Sequence, residues 1–468
     1  MHRGRGSNSY RGRWRGGGQT PRPGDSWNRG RNSTPKPKVT TPPTPPTGRL
    51  IVEITTDNLP NHNIQADDAK INNVNFAASY SLVDQHSSKI IIPGQPATWK
   101  PPQLPAQLPP DYGDYLRDHN GARFKHPLQP TVQSLFALNK SFDPSNIDIV
   151  GCASSLGDIL RFTRSVESTF RFDVEMVGNT LFMVRNHQKE VIPDVRGYGH
   201  SFLDSFTSHE DKLKKTESHQ RVISYSFGGL KCVLRFECDG YFADKDGELD
   251  ATASELKDLN LPKTPTSNLI QSEKSGKAVP QESIIEIKTR SQAKGTLDMN
   301  EQLPRLWLRQ IPNLITAYHF RGKFADVQEQ AVKQDTLSWE AEHEAELQSF
   351  ASILRQLIVE VKRASHLKLE LCRTGLGPLE LREQSGVQRE ALPAYWKDKW
   401  AGEYREDPDG EDGPSDTCAH SDRCPSLSQS GESSDTEGSG GDDDDDDDFA
   451  LDYTACDFTT CGYCGHCA

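Results

Sequence analysis

Apolar and polar positions alternate through two short runs near the middle of the chain, and the alternation sets what those runs offer. The first reads Lys231-Cys-Val-Leu-Arg-Phe-Glu237-Cys-Asp239-Gly-Tyr-Phe242 and the second Ser283-Ile-Ile-Glu286-Ile-Lys288-Thr-Arg290. A period of two marks a strand, whose successive side chains face opposite sides. The first run then presents Arg235, Glu237, Asp239 and Tyr241 on one face and Phe236 and Cys238 on the other. The second sets Ile284, Glu286 and Lys288 against Ile285 and Ile287. As neighbouring strands, the two runs bring three carboxylates and one ammonium to a single patch.

Extended along the chain, the same reading predicts strands at Leu50–Thr55, Lys89–Ile92 and Ile147–Val150, with Asn73–Val83 and Pro93–Trp99 as loops holding short strands. Pro101–Tyr115 is a proline-rich crossing. Thr131–Asn139 and Gly157–Thr163 read as helices, and Phe172–Val177 and Thr180–Val184 as a hairpin broken at Gly178-Asn179. A helix opens at Gly197 and ends near His209, and Arg221–Phe227 turns at Gly228-Gly229 into the first charged run. Ala243–Gln281 is too long and polar for an ordinary turn, and reads as a flexible surface insertion or a lid over a substrate. Beyond the second charged run come a helix at Leu297–Arg309, a strand at Leu314–Phe320 and one long amphipathic helix at Thr336–Ala364. Leu347, Phe350, Ile353, Leu354, Leu357 and Val361 line the inner face of that helix. A strand at Leu367–Cys372 and a helix at Leu392–Trp400 close the domain. Mixed strands interleaved with helices indicate an α/β (mixed α+β) fold with a mixed sheet flanked by helices.

Composition restricts how much of the chain takes part. With 30 Pro, 36 Gly and only 34% hydrophobic residues in 468, one folded domain with long tails fits better than several packed ones. The net charge of −13 is unevenly spread: residues 1–50 carry eleven Lys/Arg against one acid, and residues 403–468 carry twenty Asp/Glu against two Arg. The division is a disordered basic tail over 1–48, a folded domain over 49–402 and a disordered acidic tail over 403–468. No run of about 18 apolar residues suggests a membrane span, and the start lacks a signal-peptide pattern. Cys152, Cys232, Cys238 and Cys372, scattered through the presumed core, suit buried thiols in a reducing compartment. An intracellular protein is expected.

The charged patch needs a physical explanation. Carboxylates about 4 Å apart repel by roughly 4 kcal/mol at an effective dielectric near 20, so three together call for a cation or a raised pKa. Mg²⁺ and Mn²⁺ accept such an oxygen shell, and two ions with Lys288 nearby would suit displacement at a phosphodiester or pyrophosphate. The alternative is a solvated strand face, with Lys288 paired across strands to Glu237 or Asp239.

The order of these motifs carries a resemblance. Glu237-x-Asp239, then Glu286-x-Lys288, then Leu306-Trp307-Leu308 and Ile311-Pro-Asn-Leu-Ile-Thr-Ala-Tyr318 resemble the DXO-type decapping exoribonucleases of the PD-(D/E)xK nuclease superfamily. The Phe172–Val184 hairpin and Gly199-His-Ser-Phe202 resemble the same pattern, and the likeness spans about residues 75–402, with its strongest motifs between 170 and 320. The resemblance implies a PD-(D/E)xK core and metal-dependent hydrolysis at RNA 5′ ends: decapping, 5′ pyrophosphohydrolysis or removal of an NAD cap, with 5′–3′ degradation in some members. It implies Mg²⁺ or Mn²⁺, with two ions, and favours the nucleus over the cytoplasm. Glu237, Asp239, Glu286 and the Ile287 carbonyl would hold metal, and Lys288 would address the water or the scissile phosphate. Gln310, or Arg309 in its stead, would match a helix glutamine, while Arg221 and Arg309 are candidate substrate contacts. One departure concerns metal: where the family has Phe-Glu, this chain has Phe202-Leu203, so Asp204 one position later is the candidate upstream ligand. The loop after the Trp307 helix is shortened as well.

Two other readings stay open beside the RNA 5′-end hydrolase: a PD-(D/E)xK nuclease with another nucleic-acid substrate, and a catalytically weak RNA-binding or scaffold protein. The tails bear on the last. Arginines interleaved with Tyr10, Trp14 and Trp27 suit a salt-sensitive RNA grip or a solubilising role, and the tails could dock a protein partner. The run Asp442–Asp448 is a solvated acidic stretch or a competitor with RNA for basic surfaces. Cys456, Cys461, Cys464 and Cys467 with His466 have zinc-like spacing but little scaffold, so free or redox-active thiols are the other reading.

Overall fold

The computed structural model describes residues 47–59, 64–83, 89–116, 118–185, 191–192, 195–245, 270–386 and 389–403. The expectations for both tails, and for most of the 243–281 insertion, lie outside them. The chain divides into Met1–Pro45 and Pro46–Ala468, and all the described residues belong to the second unit.

Its strands are β1 (Leu50–Ile54), β2 (Asn72–Val83), β3 (Ile90–Gly94), β4 (Thr98–Trp99), β5 (Ala106–Gln107), β6 (Tyr115–Leu116), β7 (Ile149–Cys152), β8 (Phe170–Val177), β9 (Thr180–Val184) and β10 (Val191–Ile192). They continue as β11 (Thr207–Ser208), β12 (Thr216–Phe227), β13 (Leu230–Glu237), β14 (Gly240–Tyr241), β15 (Ser272–Gly276), β16 (Ile284–Ser291), β17 (Asn313–Phe320), β18 (Lys323–Ala331), β19 (Lys368–Arg373) and β20 (Leu379–Arg382). The helices are α1 (His119–Arg123), α2 (Gln129–Leu138), α3 (Ala153–Thr163), α4 (Gly199–Phe206), α5 (Met299–Arg309), α6 (Lys333–Glu342), α7 (Glu344–Arg363) and α8 (Ala394–Ala401).

Eleven strands form one sheet in the order β1-β20-β19-β8-β9-β7-β13-β12-β2-β3-β15, and seven form a second in the order β11-β4-β14-β16-β17-β18-β5. Both are mixed: β13 runs parallel to β7 and antiparallel to β12, and β16 runs parallel to β17 and antiparallel to β14. The large sheet is buried on both faces, and its sequence shows why. In β7, β12 and β13, Ile149, Ile223 and Leu234 join a core with α3, α5 and α7, while their neighbours Val150, Val222 and Val233 join another with α2 and α8. Strands covered on both sides carry adjacent apolar residues, as in Ile149-Val150, Val222-Ile223 and Val233-Leu234, so that each face has something to bury. A third cluster, with Phe202 of α4, Ile285, Ile287, Ile315 and Phe324, lines the second sheet. Helices on either side of mixed sheets are the predicted fold class.

Several elements depart from the sequence reading. Asn72–Val83 is one continuous strand because its polar residues find partners inside: Ser79 donates to the Pro93 carbonyl, and Ser81 bonds the His219 ring. The strand expected from Arg221 begins at Thr216, pairing through the charged stretch with β2. The single helix expected over Thr336–Ala364 is two, α6 and α7. His343 leaves helical geometry between them and stacks on Trp339, with its ring Nδ1 and its backbone N–H both at the Trp339 carbonyl. Ser272–Gly276, inside the expected insertion, adds a strand beside β3, and Lys323–Ala331 and Leu379–Arg382 are strands the pattern did not single out. No helix among the described residues is long and apolar enough to cross a membrane.

The segment closing the domain is held by buried charge. Arg389 forks onto both oxygens of Asp173 at 2.6 Å and reaches Glu370 at 2.8 Å, while Glu175 receives Lys397 and the Ala391 N–H. Asp173 and Glu370 are almost wholly enclosed. Arg389→Ala is expected to lower unfolding stability by about 2–4 kcal/mol, because it strands a carboxylate that water cannot reach. Urea denaturation at neutral pH checks this, and Arg389→Lys, lacking the fork, should recover only part of the loss.

Candidate active site

The first charged run is not one strand. β13 ends at Glu237 in the large sheet and β14 begins at Gly240 in the second, so Cys238 and Asp239 form the step by which the chain changes sheets. The predicted common face of Arg235, Glu237, Asp239 and Tyr241 is broken there. Arg235 faces Asp118 at 3.3 Å, whereas Tyr241 joins the apolar core that also takes Phe236 and Cys238, the residues expected on the opposite face. The step is pinned at both ends: the Cys238 N–H donates to the His219 carbonyl and the Tyr241 N–H to the Ala97 carbonyl. A Cβ at Gly240 would lie 2.9 Å from the Ala97 carbonyl oxygen, so only glycine lets the chain pass so closely.

The crossing sets the two charged runs side by side. Gly240 opposes Ile285 and Tyr241 opposes Ile284, and the register continued by one residue sets Asp239 opposite Glu286. The Ile287 N–H donates to Asp239 Oδ2 at 2.8 Å. Lys288, two residues on, reaches Glu286 at 3.0 Å, and all three charged side chains are nearly sealed from water.

Helix α5 brings the next charge. Asp298 caps its start through the Asn300 N–H, and Trp307 anchors it by donating its indole N–H to the buried Glu340 at 2.6 Å. The helix ends at Arg309 because Gln310 takes the left-handed conformation, φ 53°. From that last position Arg309 Nη1 contacts both oxygens of Glu286, at 3.0 and 3.2 Å. Gln281, which sequence reasoning passed over, donates to the Arg309 and Gln310 carbonyls and accepts from Arg221. Its one signal was a position just before the second charged run. Buried Arg305, one turn before Arg309, also acts on Glu286.

The two carboxylates are driven apart. Burial, then the adjacent Glu286 charge, pushes the Asp239 carboxyl up to about 7, against Lys288 and the Ile287 N–H, with Glu237 adding to the rise. Burial would also raise Glu286, but Lys288 and Arg309 outweigh it and hold that carboxyl at about 2.

The structure gathers Asp239, Glu286, Lys288 and Arg309, with Glu237 within electrostatic reach. Ile287 supplies its N–H to Asp239, and its side chain packs on the other side of the strand among Phe202 and Ile315. Gln310 turns its amide back onto the Trp307 carbonyl at 2.6 Å. Arg221 is fully buried, bonded to Gln281 and the Val279 carbonyl and lying over Phe76. Leu203 packs against the apolar cluster of the second sheet, while Asp204 is exposed. Partial desolvation and the neighbouring Asp111 raise the Asp204 carboxyl.

The donor set Glu237, Asp239 and Glu286 fits a hard divalent ion in type, and the raised Asp239 records the repulsion such an ion would relieve. In the present arrangement Glu286 is satisfied by two side-chain cations, and no group of three His, Cys, Asp or Glu among the described residues is gathered as a coordination shell.

Residues 55–369 match a family model described as a domain of unknown function, DUF8563. No curated protein matches the chain. Among solved structures it is similar to S. pombe Rai1 in complex with 3′-FADP, at 14% identity over 72% of this chain and 100% of that one, TM-score 0.45. It is similar to Scheffersomyces stipitis Rai1 in complex with (3′-NADP)+ and calcium ion, at 12% identity over 77% and 100%, TM-score 0.48. K. lactis Dxo1 in complex with manganese is 9% identical over 71% and 98%, TM-score 0.45.

The split between the carboxylates has a measurable sign. Asp239 titrates higher folded than unfolded, so between about pH 4 and pH 7 the native chain binds the extra proton and loses stability as pH rises, by up to about 1.4 kcal/mol per unit. Glu286 does the reverse: its contribution is complete above its unfolded value and is lost as pH falls from about 4.5 towards 2. In metal-free buffer, Asp239→Asn should therefore gain on the native chain as pH climbs from about 4, with the gap levelling off near pH 8. Urea midpoints across that range test it, and a pH-independent gap would contradict the raised carboxyl.

Proposed function

The chain belongs to the DUF8563 family, whose description names no activity, and from its charged crossing we propose a metal-dependent hydrolase acting on RNA 5′ ends, a divergent relative of the DXO-type enzymes. One observation carries the reading: a sheet-changing step and a strand from the second sheet bring Asp239 and Glu286 together in a buried site, beside Lys288. An apolar core does not need such a cluster, and burying it is costly, so its retention points to chemistry rather than stability.

Glu237, Asp239, Glu286 and the Ile287 carbonyl would hold Mg²⁺ or Mn²⁺, with Asp204 a further candidate ligand. Such an ion, when bound, would supply a polarised water and offset charge on the leaving oxygen. The chain's own residues do the rest. Lys288, fixed by Glu286, directs its ammonium towards the nucleophile or a phosphate oxygen. Asp239, whose carboxyl is pushed up to about 7 with no ion bound, would give up its proton to an arriving ion and act as an anionic ligand. The cations Arg305 and Arg309 favour an anionic, phosphate-bearing substrate.

A second reading, RNA binding without turnover, draws on the pairing of Glu286 with Arg309 and on Leu203 in the place where the DXO pattern has a glutamate. The deciding assay supplies Mn²⁺ or Mg²⁺ with 5′-triphosphate, unmethylated-cap and NAD-capped RNAs. Asp239→Asn, Glu286→Gln and Lys288→Ala should each reduce turnover by roughly 10²-fold or more, and the end that is hydrolysed names the reaction. Absence of turnover on every end, with RNA binding equal in native and variant chains, would sink the hydrolase and leave the binding protein.

A further inference from the structure

We propose that Arg309 is a tethered counter-cation that competes with the divalent ion for Glu286, so that the metal site opens only when Arg309 leaves it. The inference rests on the metal-dependent reading above and concerns how that site is regulated.

The geometry is that of substitution. Arg309 Nη1 lies within hydrogen-bond distance of both Glu286 oxygens, and Lys288 takes Oε1 as well, so protein cations already engage both oxygens an ion would use. Charge points the same way. Counted at formal charge, Glu237, Asp239 and Glu286 are already matched by Lys288, Arg305 and Arg309, and a proton held by Asp239 leaves still less negative charge for an ion to meet. A divalent ion added to that balance leaves two positive charges enclosed in a poorly hydrated site, which is unfavourable unless a side-chain cation departs.

Arg309 is the cation placed to depart. It is the last residue of α5, with its backbone carbonyl held by Gln281, so its side chain can swing away without moving the helix. Its side chain is 11% exposed, against 5% for Lys288, and so lies nearer to solvent. A phosphate-bearing substrate offers the guanidinium another anion, so substrate arrival and metal entry would favour one another.

The test is Mn²⁺ binding, followed by calorimetry and by the loss of the free-ion electron paramagnetic resonance signal, without any turnover. The native chain is compared with Arg309→Gln, Arg309→Lys and Glu286→Gln, after thermal unfolding in chelator has shown which are folded. Arg309→Gln should bind Mn²⁺ at least tenfold more tightly than the native chain, with Arg309→Lys between them. If Arg309→Gln does not fold, tighter binding by Arg309→Lys decides in favour. Equal or weaker binding in the folded Arg309 variants, with Glu286→Gln abolishing it, overturns the competition while leaving the metal site intact. Absence of Mn²⁺ binding in every chain overturns the metal-dependent reading itself, and this inference with it.

Discussion

The structure depends on one crossing. A chain that changes from one sheet to another must leave the hydrogen-bond ladder of the first before entering that of the second, and the residues between are held only by what they meet. Here those residues are Cys238 and Asp239, and what they meet is the His219 carbonyl on one side and the Ile287 N–H on the other. Buried backbone groups must find partners, so the Asp239 carboxylate does part of the work a neighbouring strand would otherwise do. The site is thus not an addition to the fold. The carboxylate that helps join the sheets is also the one that burial and the Glu286 charge push up to about 7.

Precision at the crossing is supplied by the layers beneath it. The indole of Trp307 is gripped by Glu340, which also receives the Ile71 N–H just before β2, and its rings pack against Phe227 and Trp339. A helix fixed this way two residues before its end delivers Arg309 to a set position. A buried carboxylate outside the charged cluster therefore governs where a guanidinium sits within it. Gln281 ties Arg221 of the large sheet to the same helix end, so three elements meet at the Arg309 backbone.

Much of the site was legible in the sequence because period-two alternation survives local irregularity. Glu286 and Lys288 lie in an unbroken strand and come together as the pattern predicted. The first run was harder. Alternation carried through Cys238 implies one continuous face, and Asp239-Gly240 reads as readily inside a strand as at a break. What forces the break is the close pass by Ala97, a residue about 140 positions away, which no local pattern records. Gln310 and Arg309 illustrate a similar limit. They are adjacent in sequence, but the left-handed turn at Gln310 sends one side chain onto its own helix and leaves the other facing Glu286. A helix pattern gives the approximate end of a helix, and a single residue at that end decides which side chain enters the site.

The charges at the site make a final point about buried ionic clusters. Two carboxylates forced together resolve their repulsion either by sharing a cation or by one taking a proton, and this site does both unequally. Glu286 collects Lys288 and Arg309 and stays ionised, while Asp239, left with one backbone N–H and a weaker share of Lys288, rises towards neutrality. That inequality follows from position: Glu286 lies within an ordered strand facing the end of α5, and Asp239 sits on the step between sheets. Two acids of one chemical kind thus differ through where the backbone sets them relative to Lys288 and Arg309, one held as an anion and the other pushed towards its protonated form.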